Sequence, residues 1–428
     1  MTDPLLCTMD IGSGPRDPGL INLLANRPID QEQRERVLSF IKLAAPGLQK
    51  RYLEIVNSPF PQRTEAAKDF LTQLAVETLE GLGYNWVFDM EWPRTEMVDW
   101  ERADVGGFAK SENWQHSYGY RFWKPSEITS PFSYVNSERH VEELERVAKF
   151  ANKEIRFPIT DAHCEVHAND NLYYYGKWLS KEKDQVLASL EADHEATMEF
   201  GREVTIRRVR ELAKHVPKGS KVAIQYDNFI VTCDEREYDP AALKKQGFDE
   251  PSFIQSLRDI TPSIPGVRYF IHNCLQDYSL YVRWLVEVPN VEKFCLEMSS
   301  HDTDSLGTTD SVRRGPGFDS LKLFREYGLR KNQVVGVGVA STYEGATPPK
   351  PELVRDRILY AVKILDDPWK VQPVLDCGQR NLSLQTVYDI SVNVHRGRDL
   401  ALKVLGKDYG IDVAPFLTPN PTEGGAAR

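Results

Sequence analysis

His272 and Cys274 stand two residues apart at the end of the apolar run Tyr269-Phe270-Ile271-His272-Asn273-Cys274. An imidazole and a thiolate at one strand end suit zinc, but a His-x-Cys pair alone is a weak signal. Two later apolar runs end in residues of similar chemistry, Phe294-Cys295-Leu296-Glu297 and Val374-Leu375-Asp376-Cys377. If the three ends meet on one rim, His272, Cys274, Glu297 and Cys377 form a four-coordinate set suited to zinc. Such a set either ties loops together or activates a ligand. The weaker carboxylate donor favours an exchangeable, catalytic site. Zinc lowers the pKa of a bound water and deprotonates a bound thiol, and the thiolate is the nucleophile of sulfur chemistry. Two thiolate ligands reduce the Lewis acidity of the metal, which suits a substrate thiol that must stay nucleophilic. Hydrolysis is the competing chemistry and needs a general base, for which Glu91 or Asp227 is available.

The elements that must position these groups alternate along the chain. Short apolar runs at 5–10, 85–89, 155–160, 222–226, 268–272, 293–297, 334–339 and 372–376 read as strands. Amphipathic stretches at 32–44, 64–81, 137–152, 181–215, 251–261, 275–288, 320–327 and 351–365 read as helices. In the last of these Val354, Ile358, Ala361, Val362 and Leu365 follow the 3.6-residue period. Eight strand–helix units predict an α/β fold, a (β/α)₈ TIM barrel, with its site at the C-terminal strand ends. An aromatic-rich insertion at 95–131, after the second strand, reads either as a hairpin flap over the barrel mouth or as cover for a satellite cluster. The expected organisation is one catalytic barrel over 1–415 and a disordered tail over 416–428.

Composition narrows the function classes. The chain of 428 residues is 41% hydrophobic and 27% charged, with a formal net charge of -10. That balance argues against nucleic acid and against an anionic membrane surface, since both need a basic footprint. No run approaches the ~20 apolar residues of a membrane span, and the opening Met1-Thr2-Asp3-Pro4 lacks the features of a signal peptide. Six cysteines in this length form no dense disulfide framework. A reducing cytoplasm is the expected compartment, and Cys7, Cys233 and Cys295 read as buried small hydrophobes.

With these residues in place, the sequence resembles the catalytic C-terminal barrel of the cobalamin-independent methionine synthase family over nearly its whole length. Ile11-Gly12-Ser13 is similar to the family's first strand end. The segment 91–98 resembles its E-x-x-R-x-[DE]-M-V motif, 113–121 its W-x-x-S-Y-G-x-R motif, and Ile224-Gln225-Tyr226-Asp227 its I-Q-x-D motif. His272-x-Cys274, Glu297-Met298-Ser299 and Asp376-Cys377-Gly378 follow in the family's order. Each motif is short; their shared order is the specific part. The resemblance implies that His272, Cys274, Glu297 and Cys377 are zinc ligands, and that Glu91 and Asp227, with Ile11 and Ser13, hold the homocysteine amino-acid group. Two carboxylates are a sound cradle for an ammonium; the plainer alternative is a rim ion pair with Arg94 or Arg121.

The methyl-donor side departs from the family. Its T-G-P-x-T…N-W-S loop is here Thr160-Asp161-Ala162-His163-Cys164 onward, with Ala168 near the place of the stacking tryptophan. Its Y-D-x-H-S is here Ala340-Ser341-Thr342-Tyr343-Glu344, so the histidine is missing, and Asn228 follows Asp227 where the family has a second acid. Trp114, Tyr118, Arg121, His163, His167 and Tyr343 are the candidates for the donor pocket. His163 and His167 read as pocket groups, as plain structural histidines or, least favoured, as part of a second metal set. The expected function is a zinc-dependent S-methyltransferase, a thiol alkyltransferase, acting on homocysteine held as a zinc thiolate. The donor would be a folate, a methyl-corrinoid protein or another methylated molecule. An epoxide-opening coenzyme M alkyltransferase is the runner-up, disfavoured because a sulfonate prefers cationic neighbours to Glu91 and Asp227. A zinc hydrolase or lyase is the reading from another class.

Overall fold

The computed structural model describes residues 3–58, 63–94, 97–110, 115–117, 121–123, 126–181, 185–228, 239–245, 247, 249–274, 281–302 and 316–418. Their strands are β1 (Trp86–Val87), β2 (Val105–Lys110), β3 (Gln115–Ser117), β4 (Arg121–Trp123), β5 (Ser126–Tyr134), β6 (Glu154–Thr160), β7 (Val222–Asn228), β8 (Val267–Asn273), β9 (Val291–Leu296), β10 (Val334–Ala340) and β11 (Val371–Leu375). Seven form one parallel sheet in the order β1-β6-β7-β8-β9-β10-β11. β7 and β11 are buried at every position, and strands covered on both faces read as near-continuous apolar runs. The chain divides into two compact units, taken here in turn.

The first unit comprises residues 1–93, 146–156 and 293–428. In it β10 pairs with β9 and β11, and β1 pairs with Glu154 and Ile155 at the start of β6. Met9 forms parallel bridges to both Trp86 and Val374, so this one residue joins the first and last strands of the sheet order. The expected strand 5–10 thus contracts to Met9. The cause is local: the Cys7 N–H donates to the Pro4 carbonyl at 3.1 Å, and Leu6 turns the chain with φ 49°. The helix Leu384–Tyr409, absent from the expected elements, is the longest described one at 26 residues. Its signals were ordinary ones: the Ser383 hydroxyl accepts the Thr386 N–H at 3.0 Å, and Gly410 ends it at φ 65°. It packs on the helix Pro351–Leu365 at Gly397, where a Cβ would come within 2.5 Å of the Val354 Cβ. At the C-terminal side, Arg398 donates to the Phe416 carbonyl and the Thr418 N–H to Asp399, so 416–418 are held against that helix; the rest of the expected tail lies outside the described residues.

The second unit comprises residues 94–145 and 157–292. β7 and β8 pair without a break from Val222 and Val267 to Asn228 and Asn273. The expected hairpin structure is present in the insertion, where β2 pairs antiparallel with β5 and β3 with β4. The β2–β5 ribbon covers a satellite core, in which Val105, Ile128 and Phe132 pack with Tyr174, Ala192, Ala196 and Phe200. The expected helix 181–215 is broken into Gln185–Phe200, a π-helical turn Gly201–Thr205, and Ile206–Lys214. The break falls at a close crossing, since a Cβ on Gly201 would lie 3.2 Å from Ile260. Within 275–288, only Val282–Leu285 is described as helix.

Buried charges tie the insertion to β6. Arg94 donates to Glu143 at 2.9 Å and to the Pro158 carbonyl at 2.9 Å. Glu101 accepts the Thr160 N–H at 2.9 Å and pairs with Arg208 at 3.2 Å. Burial pushes the Glu101 carboxyl up to about 8 against the pull of Arg208. Arg94 therefore serves the scaffold at the end of β6 through Glu143. Removing one partner from such a network leaves an uncompensated buried charge, which costs far more than an exposed ion pair.

Candidate metal centre

The strand ends of the first unit are held by one carboxylate. Asp376 Oδ1 accepts the N–H groups of Met298 and Ser299 at 3.1 and 3.0 Å. Its Oδ2 accepts the Ser299 hydroxyl at 2.7 Å, and the Ser300 N–H and hydroxyl at 2.6 and 2.5 Å. Gly338 makes room for it, because a Cβ there would sit 2.1 Å from Asp376 Oδ1. The turn after Glu297 and the strand end before Cys377 are thereby fixed to each other. Glu297 itself is fully buried, and the Tyr343 hydroxyl donates to both of its oxygens at 2.8 Å. Tyr343, expected in the donor pocket, thus lies against an expected metal ligand.

Ile11 and Ser13 lie beside the same strand end. Gly12 has φ 67°, and a Cβ on it would come within 2.7 Å of Gly378; only glycine fits both demands. The Gln379 N–H donates to the Ser13 carbonyl at 2.6 Å, so the loop 11–14 stacks on 377–379. Gln379 also donates to Asp10 at 2.6 Å, and the Ile11 N–H donates to the same oxygen at 2.8 Å. Burial pushes the Asp10 carboxyl up to about 7, although Arg156 pulls it down. Asp10 was read as a strand end without a role; its sequence signal was its place directly before Ile11-Gly12-Ser13.

Glu91 is presented by strained backbone. Met90 and Glu91 both have positive φ, 55° and 54°, at a cost of about 1–3 kcal/mol each. The strain is held by two hydrogen bonds, from Gly14 N–H to the Met90 carbonyl and from Glu91 N–H to Asp89, both 2.8 Å. Glu91 is 2% exposed, and its Oε1 is buried with no hydrogen-bond partner among the described residues. A buried, unsatisfied carboxylate oxygen is costly and suits an arriving ammonium.

In the second unit Asp227 and His272 are register partners on β7 and β8, so an expected substrate group and an expected metal ligand face the same side. Asp227 accepts the Gln225 amide at 2.5 Å. The Asp161 N–H donates to the Asp227 carbonyl at 3.3 Å. Asp161 also caps the short helix Ala162–His167, where its Oδ1 accepts the Cys164 N–H at 2.7 Å. Burial pushes its carboxyl up to about 6, against the field of His163. His163 and His167 stack one turn apart on this helix, with ring centroids 4.0 Å apart. They join no metal-ligating group among the described residues. Trp114 and Tyr118 lie outside the described residues, as does the side chain of Arg121 in β4.

One metal-ligating group is found among the described residues: His272, Cys274 and Cys377, all buried, with one ligand atom each and these atoms within 4.8 Å of one another. An imidazole and two thiols converging in a buried place fit zinc by donor type and number, with a further coordination position to fill. Glu297 is not in that group; its carboxylate is engaged by Tyr343.

Fold and site together define a parallel α/β protein with a thiol-rich centre at its strand ends. The chain is 27% identical over 331 residues to a protein named methionine synthase from Thermoplasma volcanium, covering 75% of this chain and 86% of that relative. It is 28% identical over 271 residues to another so named from Thermoplasma acidophilum, covering 62% and 69%. Among solved structures, a B12-independent methionine synthase from Shewanella sp. W3-18-1 matches with TM-score 0.62 at 16% identity, covering 94% of this chain and 98% of that one. A putative B12-independent methionine synthase from Listeria monocytogenes matches with TM-score 0.55 at 14% identity, covering 94% and 99%. No protein-family model matches the sequence. The sequence relatives bear out the resemblance to the cobalamin-independent methionine synthase family, and the solved structures show the α/β barrel-type fold.

Proposed function

We propose that this chain is a zinc-dependent S-methyltransferase of the methionine synthase type, with homocysteine as the acceptor thiol. The observation that carries the reading is the buried convergence of His272, Cys274 and Cys377; the names of the sequence relatives support it. These three residues would hold zinc, with Glu297 as the candidate fourth ligand. Zinc bound there supplies the positive charge that lowers the pKa of a coordinated thiol.

The chain's own groups do the rest. Glu91 and Asp227 bind the substrate ammonium as carboxylate acceptors, and Glu91 gains the partner that its buried Oε1 lacks. The backbone of Ile11 and the hydroxyl of Ser13 orient the amino-acid group beside Cys377. The thiol gives up its proton to solvent before transfer. A sulfur lone pair then forms the S–CH₃ bond as the donor–CH₃ bond breaks, and that bonding pair stays with the donor. No covalent enzyme intermediate is needed. The donor class is a methylated folate, a methyl-corrinoid protein or another methylated molecule, met by residues around 161–170 and 341–344. No described helix is long and apolar enough to cross a membrane.

The test is methyl transfer to homocysteine by zinc-loaded protein, against a panel of methyl donors, before and after chelation. Methionine formation with at least one donor, lost on chelation and restored by zinc, is the expected result. Zinc-loaded protein that forms no methionine with any donor, and whose metal X-ray absorption spectrum is unchanged by homocysteine, overturns the proposal.

A further inference from the structure

Asp10 closes a bracket around the loop 11–13. One of its oxygens, Oδ1, accepts both the Ile11 N–H at 2.8 Å and the Gln379 side-chain amide at 2.6 Å. Gln379 also reaches the far end of the loop, where its backbone N–H donates to the Ser13 carbonyl at 2.6 Å. The Leu382 N–H in turn donates to the Gln379 carbonyl at 3.0 Å, which anchors the bracket to the next turn. Between the two ends Gly12 lies against Gly378. Asp10 is 1% exposed and Gln379 is fully buried, so water competes little for their contact. The loop then continues into Gly14 and Pro15, where the Gly14 N–H donates to the Met90 carbonyl at 2.8 Å and the Trp92 indole donates to the Pro15 carbonyl at 3.0 Å. All of these groups belong to the first unit.

We propose that Asp10 is a positioning residue: through the Ile11 N–H and the Gln379 amide it sets how well the loop 11–13 holds the amino-acid group of the substrate thiol. The inference rests on the assignment of that group to Ile11 and Ser13 under the proposed function. The acceptor oxygen carries the role, and the charge does not. Both donors use one oxygen, and an amide carbonyl in its place accepts as well. Burial raises the carboxyl to about 7 against the pull of Arg156, so near neutral pH it is only partly ionised, whereas Oδ1 accepts in either form. Without that oxygen the Ile11 N–H and the Gln379 amide are buried donors in need of partners. The peptide between Asp10 and Ile11 then turns to find them, and the loop loses the form that meets the substrate.

The test compares Asp10→Ala with Asp10→Asn, by titration of zinc-loaded protein with homocysteine and by steady-state methyl transfer. Asp10→Ala should weaken homocysteine binding and raise KM by about 10–100-fold, because two buried donors are left unpaired, with kcat and zinc content near wild type. Asp10→Asn keeps the acceptor and should hold affinity within about threefold of wild type. A purely structural role would lower the melting temperature without dividing KM from kcat. Where thermal melts show that Asp10→Ala does not fold, Gln379→Leu opens the bracket from its other end and should weaken homocysteine in the same way. Unchanged affinity in folded Asp10→Ala or Gln379→Leu, or Asp10→Asn as weak as Asp10→Ala, overturns the role of the acceptor and leaves the substrate reading standing. Wild-type protein that binds no homocysteine overturns the substrate reading and this inference with it.

Discussion

Asp161→Asn separates the effect of a buried charge from that of a helix cap. Asp161 is 1% exposed, and burial raises its carboxyl from 3.8 to about 6. The sign follows from proton counting. Below pH 3.8 the folded and unfolded chains both carry the proton. Between there and pH 6 the unfolded chain releases it while the folded chain keeps it, so stability falls as pH rises. Above pH 6 the loss is constant. About two pH units at about 1.36 kcal/mol each give a cost of about 3 kcal/mol at pH 8. Asparagine has the oxygen needed to accept the Cys164 N–H, and asparagine and aspartate cap helices about equally well. It exchanges the second buried carboxylate oxygen for an amide NH₂, which adds a term that does not depend on pH. Urea denaturation of wild type and variant, followed by circular dichroism at several values between pH 4 and pH 8, reads the difference. The variant should gain about 3 kcal/mol on wild type across this range. A stability difference that stays flat from pH 4 to pH 8 refutes a buried, pKa-shifted carboxyl at this position.

Three further outcomes follow from the site. Glu91→Gln should weaken homocysteine binding by about 10–100-fold through loss of a charged acceptor while leaving kcat nearly unchanged; isothermal titration with steady-state kinetics checks the split, and unchanged affinity removes Glu91 from the substrate site. Asp376→Asn turns an acceptor into a donor among five hydrogen bonds, and should cost about 2–4 kcal/mol in urea denaturation together with a loss of zinc affinity. Gly12→Ala should reduce both stability and homocysteine affinity, because the φ of 67° and the contact with Gly378 each forbid a Cβ; an unchanged melting temperature and affinity would show that the loop 11–14 relaxes freely.

The parts of the site that were legible in the sequence are those fixed by backbone. His272, Cys274 and Cys377 sit at the ends of apolar runs, and the period-free burial of parallel strands makes such ends visible. The same logic located Glu297, because β9 ends directly before it. It could not foresee that a phenol from the next strand end would take both carboxylate oxygens, since side-chain partners across a sheet leave no spacing pattern. Likewise the eight-unit alternation was legible, but the reduction of 5–10 to Met9 was not. That outcome turns on Leu6 adopting a positive φ, a conformation leucine rarely takes. The helix Leu384–Tyr409 was within reach of its Ser383 and Gly410 caps.

Asp376 shows why a motif can be read for the wrong member. In Asp376-Cys377-Gly378 the thiol draws attention as a ligand, and the residues beside it look like frame. The structure gives each a distinct duty. Gly378 admits the loop 11–14, where a Cβ would lie 2.8 Å from the Ser13 nitrogen. Asp376 accepts from five N–H and O–H donors of the turn after Glu297, and Gly338 leaves the space that lets it do so. One carboxylate thereby couples the strand end carrying Cys377 to the turn carrying Glu297. A thiolate ligand needs correct placement more than chemical help, since coordination itself removes its proton. For a centre of the proposed kind, the residues that place the candidate ligands call for the same mutational tests as the ligands, and Asp376, with its five accepted hydrogen bonds, is the first of them.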